Sequence, residues 1–179
     1  MKILSCVLLC LLAGCGGGAD PDQDPVFGWQ LGGCVGQEQA LTEGEGQVKD
    51  CLPENLVPED PDYCNRILYW EYSGGRLQLV DFPVQLNCCG IRTVQYELAG
   101  DTYTITEIDQ PGDTRCRCNC DTSFSVCIDN LPAVSTPVHL LLHVTDEKDF
   151  PTEVWRGDLD LGAGSGQVDL GPSGSLNCI

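Results

Sequence analysis

Arg115-Cys116-Arg117-Cys118-Asn119-Cys120 sets three sulfurs two residues apart, and in an extended strand side chains two apart share one face. Completed by Cys127, or by the neighbouring pair Cys88-Cys89, such a face could offer thiolates to Cu(I) or Zn(II), both of which favour sulfur ligands. The opposing reading bonds each sulfur to a cysteine on an adjacent strand or loop. Two cysteines that share a strand face lie at the upper limit of Cα separation for bonding to each other. The Cys-x-x-Cys spacing of structural zinc sites and thioredoxin-like centres does not occur. In Asn87-Cys88-Cys89-Gly90 the two sulfurs are expected on opposite faces, so each should staple a different partner.

Other constellations are weaker. His139 and His143 are set among Val138, Leu140, Leu142 and Val144 in a period-two pattern. At about 3.3 Å per strand residue they stand roughly 13 Å apart, too far for one metal. Asp20, Asp22 and Asp24 open like a calcium loop, but Pro25 takes the place of the turn glycine and Leu31 that of the distal bidentate Glu. Asp158, Asp160 and Asp169 would bind calcium only if their loops converged, and the default for strand carboxylates is solvent. Gly162-Ala163-Gly164-Ser165-Gly166 lacks the Gly-x-Ser-x-Gly frame of a hydrolase nucleophile and the Lys-Ser or Lys-Thr of a phosphate loop. A carboxylate-dependent hydrolase would need acids converging in a concave site with perturbed pKa values.

The chain begins with Lys2, an apolar run from Ile3 to Leu12, and the small pair Ala13-Gly14 before Cys15. Ten apolar residues fall short of the roughly 20 that span a bilayer. This arrangement is that of a cleaved export leader, and Leu12-Ala13-Gly14-Cys15 resembles the lipobox of bacterial lipoproteins. The resemblance implies cleavage after residue 14. Cys15 would become the new N-terminus, carrying a diacylglyceryl thioether and an N-acyl chain such as palmitate. Gly16, where some such proteins carry a retention Asp, favours the outer membrane. Two or more acyl chains give stable anchoring, at about 0.8 kcal/mol per buried methylene.

Removal of residues 1–14 from the 179 leaves 165, suited to one domain. The formal charge is −18, and loss of Lys2 makes it −19, a surface that repels nucleic acid and anionic headgroups. Of thirteen cysteines, Cys6 and Cys10 leave with the leader and Cys15 is lipidated. Ten remain: Cys34, Cys51, Cys64, Cys88, Cys89, Cys116, Cys118, Cys120, Cys127 and Cys178. Even parity at high density in an exported chain reads as a disulfide framework, although ten cysteines permit about 945 pairings.

The elements that must position these residues are strands. Residues 15–25 read as a Gly-, Asp- and Pro-rich tether, and residues 26–179 as a single Cys-rich β domain. Residues 36–62 form a long loop bracketed by Cys34, Cys51 and Cys64, which disulfides would fasten. Short period-two runs follow: Ile67 to Tyr72, Arg76 to Cys88, Phe124 to Ile128, Val138 to Val144, Val154 to Leu161 and Gln167 to Leu170. The clearest hairpin joins Val94, Tyr96 and Leu98 to Tyr103 and Ile105 through Gly100-Asp101, a pair suited to a positive φ at its first position. Within Arg76 to Cys88 the apolar phase moves from Leu77 and Leu79 to Phe82, Val84 and Leu86, which calls for a bulge or bend near Val80-Asp81 and Pro83. Seven to nine such strands without helices predict an antiparallel β-sandwich of Ig-like or Greek-key type with disulfide-stapled loops. Over Leu68 to Leu131 the Cys-Cys pair, hairpin and cysteine-rich strand resemble other Cys-rich secreted bacterial lipoproteins, a likeness that implies the sandwich and no activity.

These readings converge on a lipid-anchored module of the bacterial envelope that binds a partner protein or has a structural role, through loops at one end of the sandwich and without catalysis or cofactor. Trp29, Trp70, Trp155, Tyr72 and Tyr103 could be its contact residues, but core packing is the first expectation for aromatics. The alternative is a copper- or zinc-binding protein centred on Cys116, Cys118, Cys120 and Cys127.

Overall fold

The computed structural model describes residues 26–31, 56–57, 61, 63–112, 116–145, 147 and 149–175. Cys15, the lipobox, Asp20, Asp22, Asp24, Cys34, Cys51 and Cys178 lie outside them. The described chain is strand: β1 (Val26–Leu31), β2 (Asn65–Ser73), β3 (Arg76–Asn87), β4 (Ile91–Ala99), β5 (Thr102–Gln110), β6 (Asn119–Asp129), β7 (Ser135–Val144), β8 (Thr152–Asp160) and β9 (Ser165–Pro172). A single 3-10 turn, Leu161–Ala163, joins β8 to β9.

Two sheets pack face to face. One has the order β1-β6-β3-β2-β9 and the other β4-β5-β7-β8. The chain crosses between them after β3, β5, β6 and β8, so the expected sandwich is present. The pairing departs from the antiparallel expectation at one place among the described residues: β5 and β7 run parallel, with Tyr103 opposite Val138. The reason is topological. Between them the chain makes its pass through the opposite sheet as β6, and it returns in the direction of β5 rather than by a hairpin.

Turn chemistry fixes two registers. Gly74 and Gly75 both take positive φ between Ser73 and Arg76, the pattern of a two-residue turn whose twist matches the strands it joins. Gly100 has φ 67° between Ala99 and Thr102, so the Gly-Asp hairpin forms where the sequence placed it. β1 was not foreseen. Its alternating Phe27, Trp29 and Leu31 pair with β6 from Leu31 opposite Phe124 to Val26 opposite Asp129.

The core explains the phase change in β3. Leu77, Leu79, Val84 and Leu86 all enter the intersheet core with Leu68, Ile105, Phe124 and Ile128. Keeping Val84 and Leu86 inside as well as Leu77 and Leu79 requires a one-residue slip, which the β3–β6 ladder takes between Asp81 and Val84, next to the cis Phe82-Pro83 bond. Val80 and Phe82 therefore point the other way. With Ile67 and Tyr69 they form a second apolar layer on the outer face of the sheet, covered by Leu56, Val57 and Tyr63. The described part of the long loop thus brings its own apolar cover to the domain. Each large side chain buried in these layers contributes about 1.5–3 kcal/mol.

Candidate functional site

The sulfurs meet where β3 turns into β4 and where the chain enters β6. Asn87 organises both approaches. Its side-chain amide donates to the carbonyl of Cys116 at 2.6 Å, and its Oδ1 accepts the backbone N–H of Cys89 at 3.0 Å. The second bond tightens the Asn-Cys-Cys-Gly turn in the way short polar side chains do. Arg92 Nη2 donates to the Asn87 carbonyl at 2.8 Å and stands 3.6 Å from the Cys120 sulfur. Gly112 passes the turn so closely that a Cβ there would lie 3.0 Å from the Cys89 carbonyl oxygen.

Within this frame Cys89 and Cys116 are joined by a disulfide, their Cα atoms 5.6 Å apart. Cys88 and Cys118 are thiols. The Cys88 N–H donates to the Cys118 carbonyl at 3.1 Å, and Cys118 Sγ lies 3.1 Å from Cys116 Sγ. The sulfurs of Cys88, Cys116 and Cys118 all fall within 4.8 Å of one another. Burial, reinforced by the neighbouring Cys118, pushes the Cys88 thiol up to about 11 against the opposing pull of Arg92. Cys88 is buried and Cys118 exposed, so one sulfur of the cluster meets solvent while the other stands behind it.

The sequence placed Cys116, Cys118 and Cys120 together on one strand face. The structure divides them, because the chain bends at Arg117 and β6 begins only at Asn119. Cys116 and Cys118 join Cys88 in the cluster. Cys120 and Cys127 lie on β6 and, like Cys64, are disulfide-bonded. Of the adjacent pair only Cys89 is a staple, to Cys116; Cys88 and Cys118, expected among the disulfide cysteines, are thiols, because their segments meet through the Cys88 N–H to Cys118 carbonyl bond without a sulfur link.

The remaining candidates serve the fold. Trp29, Trp70 and Tyr103 are core residues, Trp155 packs against that core, and the Tyr72 hydroxyl donates to the Leu131 carbonyl at 2.8 Å. His139 meets Glu153 Oε2 at 2.9 Å beside Arg156, and the parallel ladder sets His139 and His143 opposite different residues of β5, Thr104 and Ile108. Asp160 and Asp169 accept the backbone N–H groups of Gly162 and Gly171, at 3.1 and 2.8 Å.

A second constellation escaped the sequence reading. Arg66 on β2 donates through Nε to both carboxylate oxygens of Asp81 on β3, at 2.8 and 3.0 Å, and through Nη2 to Asp81 and to Glu107 on β5. Asp81 and Glu107 are each 1% exposed. Desolvation, added to the charge of Asp81, raises Glu107 well above its ordinary range despite Arg66. Burial also works against the Arg66 charge, but the two carboxylates outweigh it and its pKa rises. The signal was available: Glu107 falls in the inward phase of Tyr103 and Ile105. Arg66 lines a cleft of about 260 Å³ with Leu142, Val144, Glu153, Leu170 and Pro172. Glu107, with its raised pKa, does converge here with Asp81 on Arg66, yet the cleft wall carries the guanidinium and these two carboxyl groups sit behind it. The arrangement is a clasp between sheets.

Neither a family model nor a curated protein nor a solved structure matches this chain. No helix among the described residues is long and apolar enough to cross a membrane.

Proposed function

We propose that the protein is a lipid-anchored lipoprotein of the bacterial cell envelope, outer membrane favoured, whose disulfide-stapled β-sandwich is a non-catalytic binding or structural module for an envelope partner. The observation that carries this reading is the oxidised state of Cys64, Cys89, Cys116, Cys120 and Cys127. Such bonds persist outside the reducing cytosol, so the chain needs an export route, and Leu12-Ala13-Gly14-Cys15 supplies one. The formal charge of −18 argues against nucleic acid as the partner. Mass spectrometry of the mature N-terminal peptide tests the proposal. Expected is a Cys15 carrying diacylglyceryl and N-acyl groups in the detergent phase, moving to the aqueous phase in Cys15→Ser. An intact Met1 end in the cytosolic fraction, with reduced cysteines, would refute it.

A second reading rests on the sulfur cluster. Thiolates at Cys88, Cys116 and Cys118, within 4.8 Å of one another, suit Cu(I) or Zn(II) once Cys116 is released from its bond to Cys89. Stoichiometric metal in the isolated protein, together with several titratable thiols, would favour it over the first.

A further inference from the structure

We infer that Cys88 and Cys118 form a dithiol that exchanges with an external disulfide and closes into a Cys88–Cys118 bond beside Cys89–Cys116. The inference stands independently of the lipid anchor. It begins with register: the β3–β6 ladder pairs Leu86 with Cys120 and Asn87 with Asn119, so one further step sets Cys88 opposite Cys118. The Cys88 N–H to Cys118 carbonyl bond, 3.1 Å, continues that ladder past its last strand residue. Directly opposed residues in an antiparallel pair have Cα atoms about 4.5–5.5 Å apart, inside the range of about 4.4–6.8 Å that a disulfide spans. The neighbouring Cys89–Cys116 bond holds both chain segments in place from the next position.

Exposure gives the order of events. The exposed Cys118 thiolate attacks one sulfur of the external disulfide, and the first leaving thiolate departs and takes up a proton. The buried Cys88 then loses its proton and attacks Cys118 Sγ, expelling the second external group as a thiolate. Two protein thiols are oxidised and one external disulfide is reduced to two thiols. Cys118 also lies 3.1 Å from Cys116 Sγ, so the competing outcome is attack inward, which would form Cys116–Cys118 and release Cys89. The ladder register favours Cys88 as the resolving sulfur, since it aligns Cys88 with Cys118 whereas Cys116 already has its bond. Closure also removes two of the three sulfurs that the metal reading requires.

The test uses the purified protein as isolated, mapped by digestion without reduction both before and after the folded chain is treated with dithionitrobenzoate, an aromatic disulfide. A Cys88–Cys118 cross-link already present on isolation supports the inference. If the thiols are still reduced, treatment should release two aromatic thiolates per chain from Cys88 and Cys118 and leave that cross-link with no label retained on either. Cys88→Ser should release one and keep the label on Cys118. A stable label on the wild-type protein, a Cys116–Cys118 or otherwise shuffled link, or no reaction would each overturn the inference, and the wild-type map decides even if the variant fails to fold.

Discussion

The Arg66 guanidinium reaches from one sheet to the other and donates to the Glu107 carboxylate at 2.7 Å, while holding Asp81 of its own sheet. Three ionisable groups thus sit where the surrounding contacts are apolar: Leu68, Leu79, Ile105, Phe124 and Leu140 lie around the two acids. Removing one member of a buried ion-pair network leaves the others uncompensated, at about 3–5 kcal/mol. Arg66→Met is expected to lose stability of that order in urea unfolding, and to lose more than the double variant Arg66→Met, Glu107→Gln. Equal losses would mean that Glu107 does not depend on the arginine.

The same carboxyl gives a pH signature. Glu107 is raised above its unfolded value, so the folded state binds the proton more tightly and stability falls as pH climbs from the ordinary Glu range, near 4.5, through the raised value. Glu107→Gln removes that dependence. The wild-type-minus-variant difference should decline across this window by at most about 1.4 kcal/mol per pH unit, read from urea midpoints on both proteins. A difference that rises with pH would contradict the burial argument.

Trp70 and Gly166 pair across β2 and β9, and a Cβ at Gly166 would stand 2.7 Å from the indole ring. At Gly157 the corresponding clash is with Trp155 at 2.4 Å. Gly166→Ala and Gly157→Ala should each cost about 1–3 kcal/mol through overpacking, with a change in tryptophan emission. Unchanged emission and midpoint would show that the rings have room to move.

Asn87 binds both arms of the sulfur cluster, so Asn87→Ala removes the bond to the Cys116 carbonyl and the bond from the Cys89 N–H together. A loss of about 0.5–1.5 kcal/mol per hydrogen bond is expected, since the Cys89 N–H is exposed and can turn to water. Cys89–Cys116 should then open faster under a thiol reductant than in the wild type, as followed by timed alkylation and mass mapping. An unchanged opening rate would separate the asparagine from the disulfide's environment.

What could be read from the sequence was what short-range pattern controls. Alternation and Gly100-Asp101 located β4 and β5 because a two-residue turn fixes its own register. The phase change in β3 was visible as a slip, but its purpose was not. Val80 and Phe82 could be assigned to an outer layer only once Leu56 and Val57 were seen to cover them. The short β1 hid behind Gly28 and a polar approach. Sulfur partners depend on which strands lie side by side, and the bend at Arg117 broke the one-face arrangement that strict alternation implied. Glu107 was legible as an acid in an inward phase, while its partner Arg66 lies 41 residues away and had no local signature.

The parallel pair of β5 and β7 ties the assembly of one layer to the other. Because the intervening strand, β6, runs inside the facing sheet, flanked by β1 and β3, neither layer can be completed from a continuous stretch of chain. Proteins dominated by such distant pairings fold slowly, and this connectivity leaves no half of the molecule that could survive as an autonomous fragment.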